Sequence, residues 1–75
     1  MGRSPASNSN DVLTRREAEC LQCLARGLTN AGIAAQMHVA LPTVAMHLVN
    51  ARKKLGARTR EQAVAQAVKR GLIEP

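Results

Sequence analysis

Phe, Tyr and Trp are absent from all 75 residues. A chain this short without aromatics builds one small domain around a thin core of Leu, Val, Ile, Met and Ala, and its stability is marginal. The same absence argues against a helix lying on a lipid surface, since such helices set bulky apolar side chains opposite their charge. There is also no apolar run long enough to span a membrane and no signal-like h-region behind Met1. The expected location is therefore the cytoplasm, with no membrane partner. Acids are scarce, five Asp and Glu against eleven Lys and Arg, for a formal charge of +6 and a pI near 10.8. A surplus of this size on so small a chain points to a polyanionic partner.

Catalytic groupings are missing as well. No paired carboxylates, no nucleophile with a base on an adjacent turn and no glycine-rich phosphate loop can be assembled, and the serines are confined to the first ten residues. The expectation is a protein that is not an enzyme and needs no cofactor. Cysteine is limited to Cys20 and Cys23. Their C-x-x-C spacing falls inside a helical pattern, without a second pair or a histidine at ligand spacing, so core filling is the expected role and no metal site is assigned.

What is present is unevenly placed. Between Arg52 and Arg70 stand seven basic residues and a single acid, Glu61. Immediately before and overlapping this run is the stretch PTVAMHLVNARKKL, residues 42–55. At about 3.6 residues per turn, Val44, Leu48, Ala51 and Leu55 share one inward stripe. Met46, Val49 and Lys53 lie outermost, with Ala45 and Arg52 on one shoulder and Thr43, His47, Asn50 and Lys54 on the other. Pro42 suits the first helical turn and Gly56 a left-handed cap after the last. A helix with one apolar face and one polar, basic face fits a major groove.

The rest of the chain frames that helix. Residues 1–11, rich in Gly, Ser, Pro and Asn, read as a disordered linker or tail. The folded domain is expected over 12–75. Thr14-Arg-Arg-Glu17 is a capping box opening a helix to about Arg26, with Ala18, Leu21, Leu24 and Ala25 inward. Thr29 is the N-cap of a short second helix to about Met37, with Ile33, Ala34 and Met37 inward. Residues 38–41 form the turn into the organising helix, which makes the pair a helix-turn-helix. Thr59-Arg-Glu-Gln62 is a further capping box, opening a last helix to about Arg70 with Ala63, Val64 and Ala67 inward. Ala65, Val68 and Leu72 form a second, shallower apolar shoulder. Its small side chains suit a dimer seam; the alternative is that it completes the monomer core. The fold class is all-α, with four helices.

The order of motifs, LTRREAECLQCLARGLTNAGIA followed by TVAMHLVNARKKLGARTREQAV and AVKRGLI, closely resembles the LuxR-type (GerE-like) helix-turn-helix domain of bacterial transcription regulators. The likeness covers Leu13 to Ile73. It implies a tetrahelical, GerE-like fold, transcription regulation through double-stranded DNA, dimerisation through the last helix, and two half-sites of an inverted repeat read by the third. The ending is similar to members of the quorum-sensing kind, which sit behind an acyl-homoserine-lactone-binding domain; a receiver domain, or none, is the alternative. Any signal ligand would bind a domain absent from this chain, and RNA polymerase is a further candidate partner. Carried onto these residues, Ala45, Met46 and Val49 take base-facing places, while Thr43, His47, Asn50, Lys53 and Lys54 take or adjoin backbone-facing ones, joined by Arg52. Protonation of His47 would strengthen a phosphate contact, so binding should tighten at lower pH.

Three departures from the family pattern matter. Ala45 and Val49 stand where many relatives carry Lys or Arg, which removes bidentate guanine recognition and leaves apolar contact with a thymine methyl or shape readout. Asn30-Ala31-Gly32 lacks a usual Lys-Glu after the asparagine, and Ala40 replaces a usual serine cap. The expected binding is backbone-heavy and less discriminating. A rival reading keeps the fold as a protein-contact or dimerisation module with only weak, sequence-blind DNA binding. The promoter-reading end of a sigma factor also uses four helices, but the motif order here fits it poorly.

Overall fold

Thr14 sets the first helix. In the computed structural model, which describes residues 12–75, the Thr14 hydroxyl accepts from the Glu17 backbone N–H at 3.1 Å, and the Glu17 carboxylate accepts from the Thr14 N–H at 2.9 Å. This closed capping box opens α1, Arg15–Ala25. Thr29 caps α2, Asn30–Met37, through the Gly32 N–H. A three-residue turn leads into α3, Leu41–Lys54, and Thr59 opens α4, Arg60–Lys69. The expected linker at residues 1–11 lies outside the described residues.

Helices α2 and α3 meet at 106°, within the range of about 90–120° that characterises a helix-turn-helix. α3 packs on all three other helices, and α1 does the same. Between them lies one core of Leu13, Cys20, Leu21, Ile33, Met37, Val44, Leu48, Leu55 and Ile73, with Ala51, Ala63 and Ala67 wholly buried where α3 and α4 draw close. The inward stripe of α3, Val44, Leu48, Ala51 and Leu55, is buried as its spacing requires.

Several expectations are corrected in detail. Leu41 is the first residue of α3, so the turn is one residue shorter than expected. Ala25 is exposed at the last turn of α1, because the helix leaves the core there. Cys20 and Cys23, by contrast, fill the core as expected. Both are free thiols; Cys20 Sγ lies 3.5 Å from Met37 Sδ, and burial, aided by the adjacent Cys23, pushes its pKa up to about 11. A thiol held protonated in this way packs rather than reacts. The box at α4 closes only by half. Thr59 accepts from the Gln62 N–H, but the Gln62 side chain accepts from the Arg58 N–H rather than that of Thr59.

The segment after α4 folds back on α1. Gln22 donates to the Glu74 carbonyl at 3.1 Å and accepts from the Glu74 N–H at 2.8 Å, while Ile73 is buried beneath. No described helix is long and apolar enough to cross a membrane singly.

Candidate nucleic-acid interface

The two ends of α3 are built by different chemistry. At its start the backbone of Ala40 is extended, as a cap requires, but an alanine has no side chain to receive the first N–H groups. The Ala40 carbonyl alone binds Thr43 and Val44 N–H at 3.0 and 3.2 Å. Pro42 lies in the first turn, where its missing N–H leaves no donor unpaired. At the other end Gly56 adopts φ +68, and the N–H groups of Gly56 and Ala57 return to the Lys53 and Arg52 carbonyls. That is a Schellman closure, and the left-handed turn it needs favours glycine.

Three cations around this end are held by the fold. Lys54 Nζ lies 2.8 Å from Glu17 Oε1, whose side chain is only 5% exposed. Burial alone would push the Glu17 carboxyl up. The Lys54 ammonium and the Thr14 N–H and hydroxyl outweigh it, and the carboxyl titrates below its usual 4.5. One carboxylate thus closes the box of α1 and ties the last turn of α3 to it. Arg52 Nη1 donates to the Ala57 carbonyl at 3.0 Å, and Arg60 Nη2 donates to Asn30 Oδ1 at 2.9 Å, joining the N-termini of α2 and α4. Arg52 and Arg60 line a cleft of about 140 Å³ whose apolar wall includes Ala45 and Val49.

The expected site residues therefore separate into two sets. Ala45, Met46, Val49, Asn50 and Lys53 are exposed along α3; Thr43, His47 and Arg52 are half-buried at its flanks. Lys53 has no ion-pair partner among the described residues. Lys54, expected to stand beside it as a phosphate contact, pairs with Glu17 and keeps 41% of its side chain exposed. No acid lies on α3, and Arg52, Lys53 and Lys54 occupy its last turn. Sequence spacing missed Glu17 as a partner, because 37 residues separate it from Lys54. The one signal in the sequence is that Glu17 stands four and seven residues before Leu21 and Leu24, on the stripe that faces the core. Leu41, expected in the turn, projects from the first turn of α3 at 50% exposure.

Comparison with known proteins agrees with this arrangement. The family described as bacterial regulatory proteins, luxR family, matches residues 11–67. The spore germination protein GerE of Bacillus subtilis is 36% identical over 66 residues, covering 88% of this chain and 89% of that protein. The transcriptional activator protein VanR of Vibrio anguillarum is 44% identical over 64 residues, or 85% of this chain. The response regulator protein VraR of Staphylococcus aureus is 39% identical over the same length. The chain spans only 27% of VanR and 31% of VraR. A solved structure of the transcription factor GerE superposes with a TM-score of 0.81 at 33% identity, over 84% of this chain and 94% of that one. The helix-turn-helix geometry, the basic last turn of α3 and these likenesses together establish that the chain belongs to the luxR family of bacterial regulatory proteins, as a helix-turn-helix DNA-binding domain.

Proposed function

We propose that residues 12–75 bind an inverted-repeat promoter site as a homodimer, each copy laying α3 in a major groove with half-sites about one helical turn apart. The observation that carries this is α3 itself, a helix crossing its partner at 106° with no acid on it and three cations in its last turn. Lys53 and Asn50 are exposed for phosphate contact, with Thr43, His47 and Arg52 at the flanks. The seam is Ala65, Val68 and Leu72. Ala65 is exposed, while Val68 and Leu72 each pack one side on the core and keep part of their surface free. The work is done in the cytoplasm. A signal, where one is sensed, acts through a domain outside these residues, of the kind that the far longer VanR and VraR leave room for. RNA polymerase is the further partner for an activator.

The test is sedimentation of the chain with and without a duplex selected from a random pool, followed by a salt titration of binding. Two copies per two-fold duplex, with a steep salt slope and at least tenfold preference over random DNA, is the expected result. A strict monomer on two-fold DNA removes the seam. A steep slope without any selected motif favours the protein-contact reading, which the exposed Leu41, Met46 and Val49 would then serve.

A further inference from the structure

The large apolar side chains left exposed among the described residues are Leu41 at 50%, Met46 at 54% and Val49 at 42%, and all three stand on α3. Single exposed hydrophobes need no explanation; several on one helix of a domain with a thin core mark a contact surface. Leu41, Ala45, Val49 and Lys53 follow one another at steps of four, forming a ridge from the first turn to the last. Met46 widens it. None of these four apolar side chains carries a strong donor or acceptor.

The surroundings select the occupant. No acid lies on the helix, Lys53 continues the ridge, and Arg52 and Arg60 line the cleft against Ala45 and Val49. An apolar protein surface gains little from a rim of cations. A polyanion that presents apolar groups between its charges matches both features. On the base edges of the major groove, the apolar group is the C5-methyl of thymine.

We infer that the ridge of Leu41, Ala45 and Val49, with Met46, reads thymine methyl groups, so that the half-sites are chosen by the placement of thymines rather than by guanine acceptors. The inference rests on α3 entering the major groove, as proposed above, and it adds Leu41 to the base-facing set. The methyls are read by burial and not by hydrogen bonds. Each buried methyl is worth about 0.8 kcal/mol, or about a fourfold change in affinity.

The experiment starts from the duplex that the 75-residue chain selects out of a random pool. In one version deoxyuridine replaces the thymines of each half-site, which removes the methyls and keeps the pairing. In another, a deaza analogue removes the ring-nitrogen acceptor of each guanine. The expected result is about a fourfold loss per contacted methyl and less than about a twofold change for the guanine analogue. The double variant Met46→Ala, Val49→Ala, which touches only exposed side chains, should bind more weakly and lose most of its sensitivity to deoxyuridine. Equal affinity for the thymine and deoxyuridine duplexes, with the selected motif still preferred, overturns the inference and leaves the DNA-binding reading intact. Unchanged binding by the double variant also overturns it, and assigns the ridge to another partner. Failure to select any motif removes the DNA reading, and this inference with it.

Discussion

The two ends of α3 are held in different ways. The last turn is fastened by the Gly56 closure, by Arg52 on the Ala57 carbonyl and by Lys54 on Glu17. The first turn has an alanine cap with no side-chain bond, a proline, and a leucine half in solvent. In a helix-turn-helix the N-terminal residues of the second helix approach the bases. The end proposed to approach the bases is thus the less firmly capped one, and the far end carries the anchoring. The register of the helix is held from behind.

The largest effect should come from cutting the anchor. In Lys54→Met the Glu17 carboxylate keeps its Thr14 bonds but loses its cation in a site with 5% exposure. With Lys54 itself partly in solvent, the cost should be about 2 kcal/mol in urea unfolding. Lys53→Met, one residue earlier, should change stability by less than about 0.5 kcal/mol and instead lower the salt slope of DNA binding by about one unit. The pH dependence follows from the same pair. Because folding lowers the Glu17 pKa below 4.5, the native state binds fewer protons than the unfolded chain. Its contribution is complete above about pH 4.5 and is lost as pH falls through the lower folded value. Lys54→Met should flatten that part of the stability profile. An unaltered profile would show that the pair adds nothing to the anchor.

The contrast also marks what the sequence could disclose. The inward stripe of α3, the caps Thr14, Thr29 and Thr59, and Gly56 were all legible, because each is a local pattern of spacing or backbone preference. Lys54 was not. On the helical wheel it is one more basic residue on the flank, and what commits it to Glu17 is the packing of α1 on α3. Arg60 and Asn30 were hidden for the same reason, with 30 residues between them. Charge counting shows that these cations are near the site; only the fold shows which of them also brace the helices.

A smaller change should blunt the contrast from the other side. Ala40 has the extended backbone of a cap and lacks only the oxygen, so Ala40→Ser should raise stability by about 1 kcal/mol without moving the core. If the uncapped turn is left for DNA to order, the serine variant should also bind with a smaller loss of entropy, measured by calorimetry on the same duplex. A stability gain with no change in the binding entropy would mean that the first turn is already ordered in the free chain.

The smallest effect concerns the turn between α2 and α3. Three helices close on a glycine at positive φ, whereas α2 closes on His38 at φ 58, with Val39 and His38 N–H groups returning to Ala34 and Ala35 carbonyls. A side chain in that region costs about 1–2 kcal/mol, and glycine would give back about 0.5–1 of this through its greater freedom when unfolded. His38→Gly should therefore stabilise the chain by about 0.5 kcal/mol or slightly more. His38, one of four residues expected in the turn, thus takes the capping role that glycine fills elsewhere. If the variant is instead destabilised, the imidazole must be holding the turn through contacts of its own, and the angle between the two helices would depend on a side chain rather than on the closure.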